Sequence, residues 1–188
     1  MHPVLVLVVL AALWLGGIAA VAQTVDFANV RAFATPADRR VYNLDGTPLV
    51  GTHFAAQLYY GTAADSLTPV TSSPVTFRDP ASPTTSGLEG TWIGATRTLT
   101  GRALGETVFL QVRVWDATGG LTYDQAISNG RLWGNSAAFT YYIWPVATGD
   151  PTQFFMDNLR SFTLVPEPSV IGLAIIGSGA LFVLKRRK

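Results

Sequence analysis

The chain has 188 residues, 13 basic against 12 acidic, a net charge of +1, 48% hydrophobic residues and no cysteine. That length suits one domain of ordinary size, the near-neutral charge excludes the basic surface of a nucleic-acid binder, and the missing cysteines exclude a disulfide framework, a thiolate zinc site and a cysteine nucleophile. Charged residues make up only 13%, and the apolar excess sits at the two ends, with 18 apolar residues among the first 22 and 11 among the last 20.

In chain order, residues 1–22 read as a secretory signal peptide: an apolar run from Val4 to Leu15, then Gly16-Gly17, then the small residues Ala20 and Ala22 before Gln23. An h-region followed by A-x-A is the pattern a signal peptidase cuts, here between Ala22 and Gln23. The n-region departs from the pattern in having no Lys or Arg.

Residues 23–165 alternate mostly with period two. Val25–Phe27 predicts a first strand, and His53–Tyr60 a second with His53, Gln57 and Tyr59 on its more polar face. Ser66–Ser86, rich in Ser, Thr and Pro, reads as an edge strand between loops, with Val75–Arg78 inside it and Thr91–Ile93 as a further candidate. Val108, Leu110, Val112 and Val114 share one face of a half-buried central strand whose other face carries Phe109, Gln111, Arg113 and Trp115. Tyr123–Ser128 predicts one or two helical turns stopped by Asn129-Gly130. Ala138–Ile143 and Phe162–Leu164 complete the strands, with Asp45-Gly46, Gly119-Gly120 and Gly149-Asp150-Pro151 as turns. Short strands with little helix predict an all-β, antiparallel β-sandwich, in a jelly-roll or an immunoglobulin-like arrangement.

Residues 166–188 begin with Pro166-Glu167-Pro168, continue with an apolar stretch from Ser169 to Leu184 and end in Lys185-Arg186-Arg187-Lys188. The stretch predicts a short single transmembrane helix: 16 residues give roughly 24 Å of helix against a hydrocarbon core of about 30 Å. The four cations form a cytoplasmic stop, so residues 23–165 lie outside the inner membrane. This order at a chain end resembles the PEP-CTERM sorting signal of bacterial envelope proteins. The resemblance implies recognition by an exosortase, cleavage near Pro166–Pro168 and release or transfer to the cell surface, in systems that often accompany exopolysaccharide production in Gram-negative bacteria. The partners it implies are the Sec translocon, signal peptidase, exosortase and, transiently, the membrane.

For the central domain three readings stand side by side. The first is a non-enzymatic structural or interaction protein of the cell surface or extracellular matrix. The second is a carbohydrate-binding module that stacks Trp133, Trp144 or Trp115 on sugar rings of an exopolysaccharide, since an indole joins an apolar face to a polar tip; Trp133 and Trp144 read as loop residues. The third is a glycoside or ester hydrolase built on His53, the one histidine left after signal-peptide removal, or on two of Asp116, Asp124, Asp150 and Asp157. Nothing in the spacing of those aspartates singles out a pair, Gly134-Asn135-Ser136 lacks the second glycine of a nucleophile elbow, and the pattern calls for no metal or cofactor. All nine basic residues between 23 and 165 are arginines, against eleven acids. Arginine suits carboxylated or sulfated polymers, although GC-rich codon usage accounts for the same bias.

Overall fold

In the computed structural model, residues 23–30, 38–145 and 151–165 are described. The expected signal peptide, the Pro-Glu-Pro motif, the apolar stretch 169–184, the basic end and Asp150 lie outside them. Among the described residues no helix is long and apolar enough to cross a membrane.

The chain is mostly β-strand with little helix: β1 (Thr24–Phe27), β2 (Val41–Tyr42), β3 (Phe54–Ala63), β4 (Ser66–Pro69), β5 (Val75–Thr76), β6 (Ala95–Thr98), β7 (Thr107–Asp116), α1 (Tyr123–Ser128), β8 (Trp133–Asn135), β9 (Phe139–Tyr142) and β10 (Phe162–Thr163). Six of them form one antiparallel sheet. Its centre is β3 against β7, paired without a break from Phe54↔Asp116 to Gly61↔Phe109. Strands β4 and β5 share the outer edge of β3, and β8 and β9 share that of β7. Two smaller sheets, β1 with β6 antiparallel and β2 with β10 parallel, supply the opposite side of the core.

The alternation expected of β7 is present residue by residue. Val108, Leu110, Val112 and Val114 are fully buried in the main core, where Ala56 and Leu58 of β3 join them. From the other side come Val25, Phe27, Val41, Leu49, Trp92 and Leu164. A chain of rings runs through this core: Phe54 to Phe77 at 6.4 Å, Phe77 to Trp92 at 6.0 Å and Trp92 to Phe27 at 5.0 Å between centroids. Trp92 Nε1 donates to the Phe27 carbonyl (3.0 Å), so the indole is buried with its one donor satisfied. Beside it the buried Asn29 side chain donates to the carbonyls of Arg39 (3.0 Å) and Gly90 (2.9 Å) and accepts from Trp92 N (3.2 Å). One amide thus ties the backbones of Arg39, Gly90 and Trp92 together, the Gly90 carbonyl also accepting from Val41 N (3.0 Å).

The helix forms for local reasons. Thr122 Oγ1 accepts from Gln125 N while Gln125 Oε1 accepts from Thr122 N, a capping box. At the far end Gly130 takes a φ of +67°. Arg131 N donates to Ala126 O (2.8 Å) and Gly130 N to Ile127 O (3.1 Å), a Schellman closure that needs the glycine.

Several expectations are corrected. His53 stands in the turn before β3, not on its polar face, because Phe54 N closes that turn onto Gly51 O (3.1 Å). Thr91–Ile93 forms a single bridge, Phe77↔Trp92, rather than a strand. Trp133 lies in β8, not in a loop, paired with Trp115 across the sheet. Strands β2, β6 and β8 carry no alternation to read: two are only two or three residues long, and in β6 the buried side chain is Arg97.

Replacing Trp92 with Ala removes the hub of the ring chain and leaves a cavity, and is expected to cost about 3–5 kcal/mol. Urea unfolding of wild type and variant checks this, and a loss below about 1 kcal/mol contradicts the hub role.

Candidate functional site

The three tryptophans raised for sugar stacking meet different fates. Trp115 is 2% exposed and donates from Nε1 to Leu121 O (2.8 Å). It packs with Ala55, Tyr123 and Ala126 in a second core, on the sheet face opposite the main one and beneath α1. Trp133 is half-buried against the same cluster, its ring 5.9 Å from that of Tyr123. Its Nε1 is buried without a hydrogen-bond partner. Trp144, by contrast, is 47% exposed.

Trp144 owes its exposure to alternation carried past the end of β9. Phe139, Tyr141 and Ile143 are buried, whereas Thr140, Tyr142 and Trp144 are exposed. Tyr142 and Trp144 therefore project from the same side, their rings 5.3 Å apart and nearly perpendicular at 81°. Residues 151–158 run past this strand and leave a groove of about 240 Å³, lined by the aromatic pair and by Thr140, Gln153, Asp157 and Asn158 among others.

The far wall is well tied. Phe155 bridges to Asp26 of β1. Asn158 Nδ2 donates to Thr140 O (3.0 Å) and Oγ1 (3.3 Å). Arg39 Nη2 contacts both Asp157 Oδ1 (3.3 Å) and Asp157 O (3.2 Å), and Arg160 Nη1 donates to the same carbonyl (2.9 Å). Beneath the groove the Tyr141 hydroxyl is shared between the carbonyls of Thr24 (3.2 Å) and Gln153 (3.4 Å).

The rest of the outer sheet face uses its polar groups internally. The Arg113 guanidinium lies 3.9 Å from the Tyr59 ring centroid and 5.1 Å from that of Tyr123. Its Nε donates to Gln111 Oε1 (2.9 Å), Gln111 Nε2 to Ser136 O (3.2 Å) and Gln57 Nε2 to Val70 O (3.3 Å). Ser136 is buried, its Oγ accepting from Val112 N (3.0 Å) and donating to Ala137 O (2.8 Å). That hydroxyl holds β7 to the loop before β9 and faces no open site.

The groups raised for hydrolysis are placed as follows. His53 is exposed in its turn, its ring 4.2 Å from that of Phe54 and tilted by 40°. Asp116 ends β7, its Oδ1 accepting from Thr118 N (2.9 Å) and Thr118 Oγ1 (2.5 Å), with Arg131 at 3.6 Å. Burial pushes that carboxyl up, but the two Thr118 hydrogen bonds, helped by the charges of His53 and Arg131, hold it below the usual range. Asp124 is exposed in the first turn of α1, and Asp157 stands in the groove. Among the described residues no three His, Cys, Asp or Glu side chains cluster as a metal site.

Of the sequence-derived candidates, the groove thus brings together Trp144 and Asp157. Tyr142, Asn158 and Thr140 were not singled out; extending the 138–143 alternation by one residue would have placed Tyr142 beside Trp144. No family model matches the chain, and no curated protein or solved structure matches it either.

Burial raises the hydroxyls of Tyr123 and Tyr141 to about 12, the Arg113 charge opposing it at Tyr123. The unfolded chain ionises near pH 10, so between about pH 10 and 12 the folded state holds the extra protons and stability falls as pH rises. Absorbance at 295 nm should show a late-titrating fraction that includes Tyr123 and Tyr141, with Tyr42 and Tyr59 raised as well, and Tyr141→Phe should remove part of it. Six tyrosines titrating together near pH 10 in the intact fold would contradict this.

Proposed function

We propose that the chain is an exported, exosortase-processed structural or interaction protein of the cell surface or extracellular matrix, without a catalytic role of its own. In this reading its exported part is a two-layer β-sandwich, jelly-roll or immunoglobulin-like, delivered by the Sec translocon, cut by signal peptidase and held transiently at the inner membrane by residues 169–184.

The observation that carries the reading is the order of signals in the sequence: an apolar run ending in Ala20 and Ala22 before the strand-rich residues, and Pro166-Glu167-Pro168, an apolar stretch and Lys185-Arg186-Arg187-Lys188 after them. At one end the Gln23 carbonyl accepts from Leu99 N (2.7 Å), and β1 begins at the next residue. At the other, Leu164 N donates to Tyr42 O (2.9 Å), Val165 N donates to Trp133 O (2.7 Å), and Val165 bridges to β8. Gly134 allows this, since a Cβ there would come within 3.1 Å of Leu164 Cα and Thr163 O. The following residue is Pro166, which has no amide hydrogen to continue a ladder. A domain filling the interval between two processing signals, without disulfides, suits delivery to an oxidising compartment on core packing alone.

Intact-mass measurement of the protein recovered from its native host tests the reading. The expected species begins at Gln23 and ends between Val165 and Pro168. A species that retains Lys185–Lys188 overturns the exosortase step, and one that begins at Met1 overturns signal-peptide removal.

A further inference from the structure

The geometry points to the groove between β9 and residues 151–158 as a binding subsite for one pyranose ring of a neutral polysaccharide, with Trp144 and Tyr142 as its aromatic contacts. This names a partner for the surface protein proposed above and rests on that reading for its setting, while the site itself is built from described residues alone.

Large apolar side chains left in water mark interaction sites when they gather. Tyr142 and Trp144, 42% and 47% exposed, are two of the six exposed large hydrophobic side chains among the described residues. They meet edge to face, so one ring can lie under a sugar while the other stands as a wall beside it. A pyranose offers an axial C–H face that suits an indole surface, with hydroxyls around its rim that need hydrogen bonds. The groove supplies both kinds of contact. Trp144 Nε1 and the Tyr142 hydroxyl are donors with no protein partner among the described residues, and Asn158 Oδ1 is an acceptor in the same condition, its Nδ2 being committed to Thr140. Asp157, paired with Arg39 (3.3 Å), stands at the rim of the same groove.

Size and charge narrow the ligand. At about 240 Å³ the space falls below the roughly 300 Å³ where pockets for drug-sized molecules begin. One ring fits, with the polymer continuing into solvent on either side. The described lining contains one carboxylate, Asp157, which Arg39 already pairs at 3.3 Å, and no Lys or Arg, so a uronic-acid or sulfated chain would find no uncommitted cation in that lining. The arginines that looked suited to acidic polymers have partners of their own: Arg113 lies between aromatic rings, Arg97 donates to the carbonyls of Ser73 and Thr96, and Arg39, beside the groove, pairs with Asp157. A proline-rich peptide also favours aromatic surfaces, but it needs a row of parallel ridges, whereas this groove offers a single corner.

Affinity electrophoresis of the full-length chain, in a detergent without a sugar headgroup, tests the assignment. The native gels contain galactomannan, mixed-linkage β-glucan or dextran, with alginate as the anionic comparator. Retardation by at least one neutral polymer is expected, weakened about tenfold by Trp144→Ala and by Tyr142→Ala, as for a central aromatic contact. Trp144→Phe should recover part of the retardation, and Ile93→Ala, an exposed apolar position outside the groove, should leave it unchanged. An unaltered thermal midpoint in Trp144→Ala separates lost contact from lost fold. The assignment is overturned by no retardation in any of the three neutral gels, by retardation that survives both alanine variants, by stronger retention on alginate, or by displacement with a polyproline peptide. The assay does not read the chain ends, so failure of the processing scheme and failure of the subsite are separate results.

Discussion

The pairing of β3 with β7 is the constraint on which the remaining structure depends. Eight consecutive antiparallel pairs, from Phe54↔Asp116 to Gly61↔Phe109, fix the register of the two longest strands. A slip of one residue would send Val108, Leu110, Val112 and Val114 to the outer face and Phe109, Gln111, Arg113 and Trp115 into the core. With the register set, every other strand finds its place along an edge of this pair or against its apolar face. The short strands β1, β2, β6 and β10 could not persist alone; they are held because Val25, Phe27, Val41 and Leu164 complete a core whose floor β3 and β7 provide.

The outer face of the same pair explains the functional geography. At one end α1 covers Trp115 and Ala55 with Tyr123 and Ala126, and Arg113 lies against Tyr59 and Tyr123. Hydrogen bonds among Gln57, Gln111, Arg113 and Ser136 and nearby carbonyls satisfy the middle of the face internally. At the β9 end no α-helix among the described residues lies over the strand, and the same outward parity that buried Trp115 exposes Tyr142 and Trp144. One periodicity therefore yields a closed cluster and an open groove, the difference lying in what packs above each end.

How much of this was legible in the sequence depends on the range of the interaction involved. Strands β3 and β7 were legible because the eight-residue alternations at His53–Tyr60 and Val108–Trp115 outweigh any local exception, and α1 because its stop signal, Asn129-Gly130, is local. Strands β2, β6 and β8 were not: a two-residue parallel pair, a strand whose buried side chain is Arg97, and a strand containing Gly134 exist only through partners far along the chain. The same limit applied to the site. Trp115, Trp133 and Trp144 look alike as residues, and period two assigns Trp115 to the outer face without revealing that α1 folds back over it. Asn158 and Asp157 reach the groove through contacts with Thr140 and Arg39, at separations of 18 and 118 residues, which no local pattern encodes.

The account stands or falls on β3 and β7 forming the organising pair, and native-state amide hydrogen exchange addresses that most directly. If the pair organises the fold, the amides of Val108, Leu110, Val112 and Val114 exchange only through global unfolding, with protection equal to the unfolding free energy, while β1 and β6 open at lower cost. Amides in β7 that exchange as fast as those of β1 and β6, or faster, would contradict it.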